Sequence, residues 1–273
     1  MDYKIVSKIS LPSSGFKKIG EFRYYPEIDG IYYEGPYPFP VQLLIYEGLN
    51  KCQVTPAFLR LPFIMRGWIN LDIVLREIDV MKHALQNRLL LHASCVGNTL
   101  IVGFPNSGKT YQTYKRTSEG GVLISEEYTI LKMSDQGNVF AMPYKSKARS
   151  CLSARTIKDC GFTLSAREKV ELALRTIRAK MMPFMFEAAI WREIPLPGVA
   201  SKISKIEYGS TGLKVDSWKH LAILTDNEFP FTSDAFLQAY ALTSGLDILD
   251  IQEKQRKLIK EFVYAIYHNS KSQ

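Results

Sequence analysis

One glycine-containing loop constrains this chain more than any other stretch of its sequence: Gly103-Phe104-Pro105-Asn106-Ser107-Gly108-Lys109-Thr110. It matches the pattern G-x-x-x-x-G-K-[ST], in which glycines let the backbone curl so that its amides point inward at phosphate oxygens. A strand-like run at 99–102 precedes the loop, and a helix-permissive run follows from Lys109. The sequence therefore predicts a strand–loop–helix unit within an α/β fold, with a phosphate-binding loop at its centre.

The same loop predicts a nucleotide triphosphate and Mg²⁺ as ligands. Lys109 is placed to reach the β- and γ-phosphates, and the Thr110 hydroxyl is placed to ligate Mg²⁺. The positive N-terminal end of the following helix adds to the attraction for anionic phosphates. We therefore expect ATP and Mg²⁺ as cofactors, with these nucleotide-binding residues: Gly103, Asn106, Ser107, Gly108, Lys109, Thr110 and Tyr111.

Two adjacent acids, Glu126 and Glu127, follow the apolar run 122–124, whose composition predicts a buried strand. Acids at the carboxyl end of a strand near a phosphate loop face the same crevice as that loop. We expect Glu127 to hold Mg²⁺ together with Thr110, and Glu126 to accept the proton of an attacking hydroxyl. The alternative is a solvated acidic turn that starts a hairpin.

A single histidine, His92, interrupts the apolar stretch 89–96 ahead of the loop strand. A lone histidine in such a place is commonly a hydrogen-bonded core residue. The catalytic alternative is that it orients or tunes the carboxylate of Glu126, because imidazole changes charge near neutral pH. Glu126, His92 and Lys109 are therefore the candidate catalytic residues.

The chain is basic, since lysine and arginine exceed aspartate and glutamate by 35 − 27 = 8. This charge favours an acidic partner such as a phosphate, a nucleic acid or an anionic peptide. A nucleic acid is the least supported of these, because no helix-turn-helix, zinc or aromatic-interleaved signature accompanies the charge. One basic run is expected to be either a dock for an acidic peptide or a solvated face: Lys145, Lys147, Arg149, Arg155 and Lys158.

Composition and targeting signals predict a globular protein of the cytoplasm with no membrane partner. With 46% hydrophobic residues the chain has ample material for a core, which excludes intrinsic disorder. The N-terminus lacks the apolar core and cleavage site of a signal peptide, and the apolar stretch 89–104 is too short and too polar to span a bilayer. The four cysteines form no CxxC pair and are expected to be free thiols: Cys52, Cys95, Cys151 and Cys160.

Two regions are predicted, a small β-rich one at 1–65 and an α/β domain with a helical C-terminal part at 66–273. Aromatic and β-branched runs between proline and glycine breakers predict strands at these positions: 3–5, 22–25, 30–33 and 41–46. A helix capped by Asn70 is expected to carry one apolar face that runs from Leu71 to Leu89. Residues 128–132 and 139–142 are expected to pair as a hairpin.

Helix signals dominate the second half of the sequence. Ser165 and Glu168 form a capping-box pattern, in which each side chain satisfies the other's backbone amide. Further helices are expected from Ser233 to Leu242 and over 251–267. Behind the capping box, apolar residues repeat at helical spacing: Val170, Ala173, Leu174, Ile177 and Met181.

The order of these motifs resembles the HPr kinase/phosphorylase superfamily. The similarity is carried by His92, the loop 103–110 and the acids after 123–125, together with the opening strand and the helix before His92. The chain is most similar to the HPr-kinase-like proteins found near peptide-modification gene clusters, including the lasso-peptide kinases, over most of residues 1–150. The resemblance implies an HPr kinase-like P-loop core, a mixed sheet with helices, behind a small β-rich N-terminal region.

The resemblance also implies a kinase that transfers the γ-phosphate of ATP to a hydroxyl, with a serine of a peptide or small protein as the acceptor. In the family the acid pair is normally two aspartates, and the longer Glu126 and Glu127 move each carboxylate outward by one methylene. Segment 193–198 matches the later signature of the bifunctional enzymes poorly, which counts against HPr itself as substrate. Two alternatives stay open: a kinase for small-molecule hydroxyls, and a nucleotide-binding regulator without transfer activity. Family members often form oligomers, so a homo-oligomer is a further expectation.

Overall fold

A computed structural model of the chain describes residues 3–35, 41–60, 71–104, 106–181, 188–221, 242 and 248–268. These residues form a mixed α/β protein with four separate sheets. The chain divides into two compact units, which are described separately below. The first unit combines Met1–Leu85 with Phe229–Gln255, and the second combines Gln86–Glu228 with Arg256–Gln273.

The elements are numbered in chain order. The strands of the first unit are β1 Tyr3–Ile5, β2 Lys17–Ile19, β3 Phe22–Tyr25, β4 Gly30–Glu34, β5 Gln42–Tyr46 and β6 Lys51–Val54. The strands of the second unit are β7 Arg88–Leu91, β8 Ser94–Val96, β9 Thr99–Val102, β10 Leu123–Ser125, β11 Thr129–Met133, β12 Val139–Pro143, β13 Lys147–Ser153, β14 Ala189–Pro195, β15 Ser201–Lys202, β16 Lys205–Tyr208 and β17 Leu213–Lys214. The helices are α1 Pro56–Arg60, α2 Leu71–Leu85, α3 Lys109–Ser118, α4 Ala154–Asp159, α5 Ala166–Met181 and α6 Ile248–His268.

The first unit is built on one six-stranded sheet in the order β1-β6-β5-β4-β3-β2. Its neighbouring strands are antiparallel except β1 and β6, which are parallel. The four strands predicted in this region are confirmed, whereas β2 and β6 were not predicted, because their lysines and short length hide the strand pattern. Helix α2 buries Val74 and Ile78 in the same core as Ile31 and Leu43 of the sheet. This packing places α2 with the sheet, so the predicted boundary at residue 65 falls inside the first unit.

The end of α2 differs from the prediction. The helix ends at Leu85, and Asn87 takes the left-handed conformation with φ of 56°. That turn redirects the chain, so Leu89 lies in β7 and not on the helical face where its spacing placed it. The predicted helix caps Asn70 and Ser233 lie outside the described residues.

The second unit contains the glycine loop and a five-stranded sheet in the order β10-β8-β9-β16-β17. The predicted strand before the loop is confirmed as β9, and the predicted helix after it as α3. Val122 was expected in a buried strand, but its side chain is 57% exposed and β10 begins at Leu123. The C-terminal part contains the long helices α5 and α6, and it also contains strands β14 and β16, which were not predicted because their pairing partners β13 and β9 are remote in sequence.

Two other local predictions are confirmed in the second unit. Strands β11 and β12 form the expected antiparallel hairpin, closed by a hydrogen bond of 2.8 Å from the Ser134 amide to the Asn138 carbonyl. The capping box forms at α5, where the Ser165 amide donates to the Glu168 carboxylate at 2.8 Å and the Glu168 amide donates to the Ser165 hydroxyl at 3.3 Å. Helix α6 covers the predicted final helix.

Among the described residues, no helix combines the length and the apolar composition needed to cross a bilayer. The four cysteines are free thiols, and two of them, Cys52 and Cys95, are buried. Burial raises the pKa of each of these two thiols to about 12, so both are held in the uncharged form.

A buried carboxyl group in the first unit makes stability depend on pH. The Glu77 side chain on α2 is 5% exposed, and within the described part of the chain neither of its oxygens has a hydrogen-bond partner. Burial raises the pKa of Glu77 from 4.5 to about 8, although the charge of Arg76 opposes the shift. The group is therefore protonated in the folded protein but ionised in the unfolded chain between these pH values. Stability must fall as pH rises through this window.

We expect Glu77→Met to remove this pH dependence. The variant should gain about 2–4 kcal/mol of unfolding free energy at pH 8 and much less at pH 5, because methionine carries no ionisable group. Urea unfolding at both pH values measures the difference. Glu27→Met, at an exposed carboxylate, serves as the control. An equal gain at pH 5 and pH 8 would contradict a raised Glu77 pKa.

Candidate functional site

The glycine loop runs from the end of β9 to the start of α3. Three of its residues have positive φ: Gly103 at 151°, Asn106 at 64° and Gly108 at 83°. At Gly108 the left-handed backbone favours glycine, and an added Cβ would lie 2.7 Å from the Cβ of Ser210. The sequence therefore has glycine at 108 for two physical reasons, the backbone conformation and the close approach of a second chain segment. Pro105 lies outside the described residues.

Lys109 is the first residue of α3, and its side chain is only 9% exposed. Its Nζ donates to the carbonyl oxygen of Gly103 at 2.5 Å and to that of Phe104 at 3.3 Å. The ammonium group therefore folds back across the loop that it follows in sequence. A cation in this position is close to the backbone that would surround a bound phosphate.

A second turn, Gly209–Thr211, packs against the glycine loop. Strand β16 is parallel to β9, with Tyr208 opposite Val102, so the turns after these two strands lie at the same edge of the sheet. The Ser210 amide donates to the carbonyl oxygen of Ser107 at 3.0 Å. Beside it, the Ser107 hydroxyl oxygen is buried and has no hydrogen-bond partner among the described residues. Sequence reasoning missed this turn, because the two segments lie about a hundred residues apart.

The acid pair lies at this same edge. Strand β8 is antiparallel to both β9 and β10, so β9 and β10 point in the same direction. The chain leaving β10 therefore enters the crevice beside the loop, as predicted for acids after this strand. Here the Thr110 Oγ1 donates to Oε1 of Glu126 at 3.1 Å. The carboxylate that the loop hydroxyl contacts is thus Glu126, the first of the two acids.

The second oxygen of Glu126 is held by a residue that the sequence did not indicate. Ser150 of β13 donates to Oε2 of Glu126 at 2.8 Å. The hydroxyl of Tyr114, on α3, lies 2.5 Å from the Ser150 Oγ. Because Ser150 has one proton and gives it to the carboxylate, Tyr114 is the donor to Ser150. A relay Tyr114–Ser150–Glu126–Thr110 therefore connects α3, β13 and the segment after β10.

The environment of Glu126 changes its acidity. Burial raises the pKa of this carboxyl group, and the neighbouring charge of Glu127 raises it further. The hydrogen bonds from Ser150 and Thr110, and the charge of His92, oppose the rise in pKa. A carboxyl group with a raised pKa gains and loses its proton nearer to neutral pH than an ordinary exposed carboxyl group does. It is therefore better suited to general base catalysis near neutral pH.

His92 lies beside the acid segment and is half-buried. Its ring stacks on the Tyr128 ring, with centroids 5.1 Å apart and an interplanar angle of 21°. The Thr129 hydroxyl donates to the Ala93 carbonyl oxygen at 2.6 Å, which fixes the histidine segment against the strand that follows the acids. The charge of His92 lowers the pKa of Glu126, so the two side chains interact electrostatically.

The other two predicted site residues lie at the margins of this cluster. Glu127 is half-buried and has a left-handed backbone with φ of 71°, which turns the chain between β10 and β11. Tyr111 points its hydroxyl at α4, where it donates to the Asp159 carboxylate at 3.2 Å. The Arg155 guanidinium lies 4.5 Å from the Tyr111 ring centroid. In this structure Tyr111 therefore connects the first turn of α3 to α4.

The basic run is exposed and is engaged in local contacts. Lys147 pairs with Glu193 across β13 and β14 at 3.4 Å, and Arg155 pairs with Asp159 at 3.4 Å. Along β13 the exposed lysine and arginine positions alternate with the inward positions that include Ser150. The outer face of the strand is thus basic, while its inner face supports the acid cluster.

The described residues contain no group of three or more His, Cys, Asp or Glu side chains arranged to hold a metal ion by themselves. Mg²⁺ commonly binds to one or two protein oxygens and completes its shell with water and phosphate oxygens. The Thr110 hydroxyl and the carboxylates of Glu126 and Glu127 supply oxygens of that kind. The residues present therefore fit a Mg²⁺ ion that arrives with a nucleotide.

Neither a protein-family model nor a curated protein matches this chain. These two comparisons therefore assign no family to the chain.

Ser150→Ala tests the hydrogen bond that opposes the raised pKa of Glu126. Without the serine hydroxyl the pKa of Glu126 should rise further, so the loss of stability should grow with pH. We expect the variant to lose about 1–3 kcal/mol of unfolding free energy at pH 8 and less at pH 5. Thermal unfolding at both values measures this, with Ser146→Ala at an exposed hydroxyl as control. A loss that does not depend on pH would assign Ser150 to packing alone.

Proposed function

We propose that this protein is an ATP- and Mg²⁺-dependent kinase with an HPr kinase-like P-loop core that transfers the γ-phosphate to a hydroxyl group. The observation that carries the proposal is the 3.1 Å hydrogen bond from Thr110 to Glu126. This bond joins Thr110, the residue after Lys109, to a buried carboxyl group whose pKa is raised by burial. A phosphate-binding loop and a carboxylate in contact at one crevice are the parts that phosphoryl transfer needs.

The glycine loop binds the phosphates of the nucleotide. Its positive-φ residues let the backbone curl, and in a loop of this pattern the amides point inward at phosphate oxygens. The first turn of α3 adds amides without helical partners. Lys109 exchanges its contacts with the Gly103 and Phe104 carbonyls for contacts with phosphate oxygens. The Ser107 hydroxyl is buried and has no hydrogen-bond partner within the described part of the chain, so it offers one more polar group at the same place.

The metal-binding part of the proposal rests on Thr110 and Glu127, with Glu126 beside them. Because Thr110 gives its proton to Glu126, the lone pairs of its hydroxyl oxygen are available to a cation. When bound, Mg²⁺ supplies positive charge that neutralises the β- and γ-phosphate oxygens. Glu127, whose charge acts on Glu126, provides a second anionic oxygen donor.

Glu126 acts as the general base. The O–H bond of the acceptor breaks, and its proton moves to the Glu126 carboxylate. The acceptor oxygen forms a bond to the γ-phosphorus as the bond from the β–γ bridging oxygen breaks, and the nucleoside diphosphate leaves. The raised pKa of Glu126 makes the proton transfer more favourable, while Lys109 stabilises the charge on the transferred group.

His92 tunes this base. Its charge lowers the pKa of Glu126 and so keeps a larger fraction of the carboxylate ionised than burial alone would allow. The imidazole stacks on Tyr128, the residue that directly follows the acid pair, and this stack holds it in place. His92 therefore acts through Glu126 and not on the substrate.

For the acceptor we propose a serine of a peptide or small protein, on the basis of the resemblance to the peptide-modifying kinases. Its competitor is a small-molecule hydroxyl. Mass spectrometry after incubation with isotopically labelled ATP and candidates of both kinds separates the two. The exposed basic face of β13 favours an acidic peptide near the site.

A nucleotide-binding protein without transfer activity is the second candidate. The specific observation in its favour is that both oxygens of Glu126 already accept hydrogen bonds, from Thr110 and Ser150. A carboxylate oxygen has two lone pairs, so each can still accept a proton or a further hydrogen bond. We therefore favour the kinase, and tight ATP binding without transfer to any acceptor would support the second candidate.

Lys109→Ala tests the loop. Loss of a charged hydrogen-bond donor to phosphate should weaken ATP binding by about 10- to 100-fold. Isothermal titration calorimetry in the presence of Mg²⁺ measures the dissociation constant. Lys115→Ala, at an exposed lysine of the same helix, is the matched control and should bind ATP like the wild type. Unchanged ATP affinity in a folded Lys109→Ala variant would contradict a phosphate-binding role for the loop.

Glu126→Gln tests the base. The amide keeps the shape of the side chain but cannot accept a proton, so transfer should fall by about 10²- to 10⁴-fold while ATP affinity changes little. In the wild type the transfer rate should rise with pH through a pKa above the ordinary glutamate value. Glu119→Gln, exposed at the end of α3, is the control. A Glu126→Gln enzyme with full transfer activity would exclude this residue from the chemistry.

A further inference from the structure

Two glycines lie side by side where strands β9 and β16 end. The strands are parallel, with Tyr208 opposite Val102, so Gly209 and Gly103 are the next residues on the two segments. A Cβ added at Gly209 would overlap the carbonyl oxygen of Ser107, and a Cβ added at Gly103 would overlap its hydroxyl oxygen. Ser107 therefore fits between two backbone segments that leave no room for a side chain.

The Ser107 carbonyl group is anchored to the turn that follows β16. Its oxygen accepts hydrogen bonds from the Ser210 amide at 3.0 Å and from the Ser210 hydroxyl at 3.3 Å. In a trans peptide the C=O and the following N–H point in opposite directions, so this anchor turns the Gly108 amide away from the turn. Within the described part of the chain the Gly108 amide donates to no acceptor. In a loop of this pattern, a phosphate oxygen is the acceptor that such an amide suits.

The turn is held in place by contacts along its own strand. Glu207 of β16 is 7% exposed and forms an ion pair with Arg116 of α3, the helix that follows the glycine loop. The Tyr267 hydroxyl of α6 accepts a hydrogen bond from the Ile206 amide at 2.8 Å and donates to the Val215 carbonyl oxygen at 2.9 Å. Strand β16 is therefore fixed to both α3 and α6, so the turn at its end can hold the loop in one shape.

We propose that Gly209 and Ser210 are positioning residues of the nucleotide site, an inference that rests on the proposed function. They act through one peptide group and do not touch the nucleotide. The turn holds the Ser107 carbonyl away from the phosphates, whose negative oxygens would repel it, and so points the Gly108 amide at them. The loop is therefore preorganised, and binding does not have to supply the free energy for turning this peptide group.

The turn itself offers a matched pair of glycines for a test. Gly209 has a positive φ of 44° and closely approaches the Ser107 carbonyl oxygen. Gly212, just after the same turn, has a positive φ of 65°, but a Cβ added there would come no closer than 3.7 Å to any atom beyond its chain neighbours. Alanine is strained by the backbone conformation at both positions, whereas only at Gly209 would it also displace the loop.

Isothermal titration calorimetry of the full chain with Mg²⁺ and either ATP or tripolyphosphate tests the proposal. Gly209→Ala should weaken the binding of both by about 10- to 100-fold, because the new methyl group displaces the Ser107 carbonyl and the Gly108 amide loses its phosphate contact. Gly212→Ala is the control and should bind both like the wild type. Circular dichroism and the thermal midpoint show that each variant is folded.

Two further measurements separate positioning from a general loss of structure. In NMR spectra the Gly108 amide signal of the wild type should shift when Mg²⁺ and tripolyphosphate are added, and it should shift much less in Gly209→Ala. In transfer assays Gly209→Ala should raise the KM for ATP and leave kcat nearly unchanged, because the lost contact is made in the ground state and the transition state alike.

Four results would overturn the proposal. They are a wild-type Gly108 amide that does not respond to tripolyphosphate, unchanged affinity in a folded Gly209→Ala variant, an equal loss of affinity in Gly212→Ala, and a lowered kcat with an unchanged KM. Failure of the proposed function gives a different pattern, because Lys109→Ala would then also leave ATP affinity unchanged. Loss of affinity in Lys109→Ala alone would keep the loop as the phosphate site and would assign the turn to packing.

Discussion

The carboxylate of Glu126 is the group around which the second unit is organised. A buried negative charge is tolerated only when hydrogen bonds replace the water it has lost, and Thr110 and Ser150 supply one to each oxygen. These two hydroxyls come from α3 and β13, whereas the acid follows β10. Three elements distant in sequence must therefore meet with correct geometry before the acid can be buried. The same contact places the acid next to the residue that follows the loop lysine.

The direction of the strands brings these segments of the chain together. Because β9, β10 and β16 all point the same way, the segments that leave them gather at one edge of the sheet. The glycine loop, the acid pair and the Gly209–Thr211 turn are those three segments. The sheet thus assembles amides, hydroxyls and carboxylates from sequence positions up to about a hundred residues apart.

Local signals predicted their elements well in this chain. The loop and its flanking strand and helix, the β11–β12 hairpin and the capping box of α5 all depend on contacts within a few residues, which the sequence encodes directly. Ser150 and Ser210 gave no such signal, because each is an ordinary serine until a strand pairing brings it to the crevice. The end of α2 was missed for a related reason, since the apolar spacing continued past the turn at Asn87. The apolar residues Val170, Leu174 and Ile177 were visible as a helical pattern, but their spacing could not tell which side of α5 the rest of the unit would cover.

The sequence by itself determined the residue types that a phosphate-binding crevice needs: glycines that permit positive φ, a lysine at the helix start, a hydroxyl beside it and two acids after a short strand. Only the tertiary structure decided that Glu126 is the acid in contact with Thr110 and that Ser150 donates to its other oxygen. It also decided that Leu174 and Ile177 of α5 are exposed. The physical reason is that hydrogen bonds and burial act between atoms close in space. In a sheet with remote strand pairings, closeness in space follows from topology and not from the order of residues along the chain.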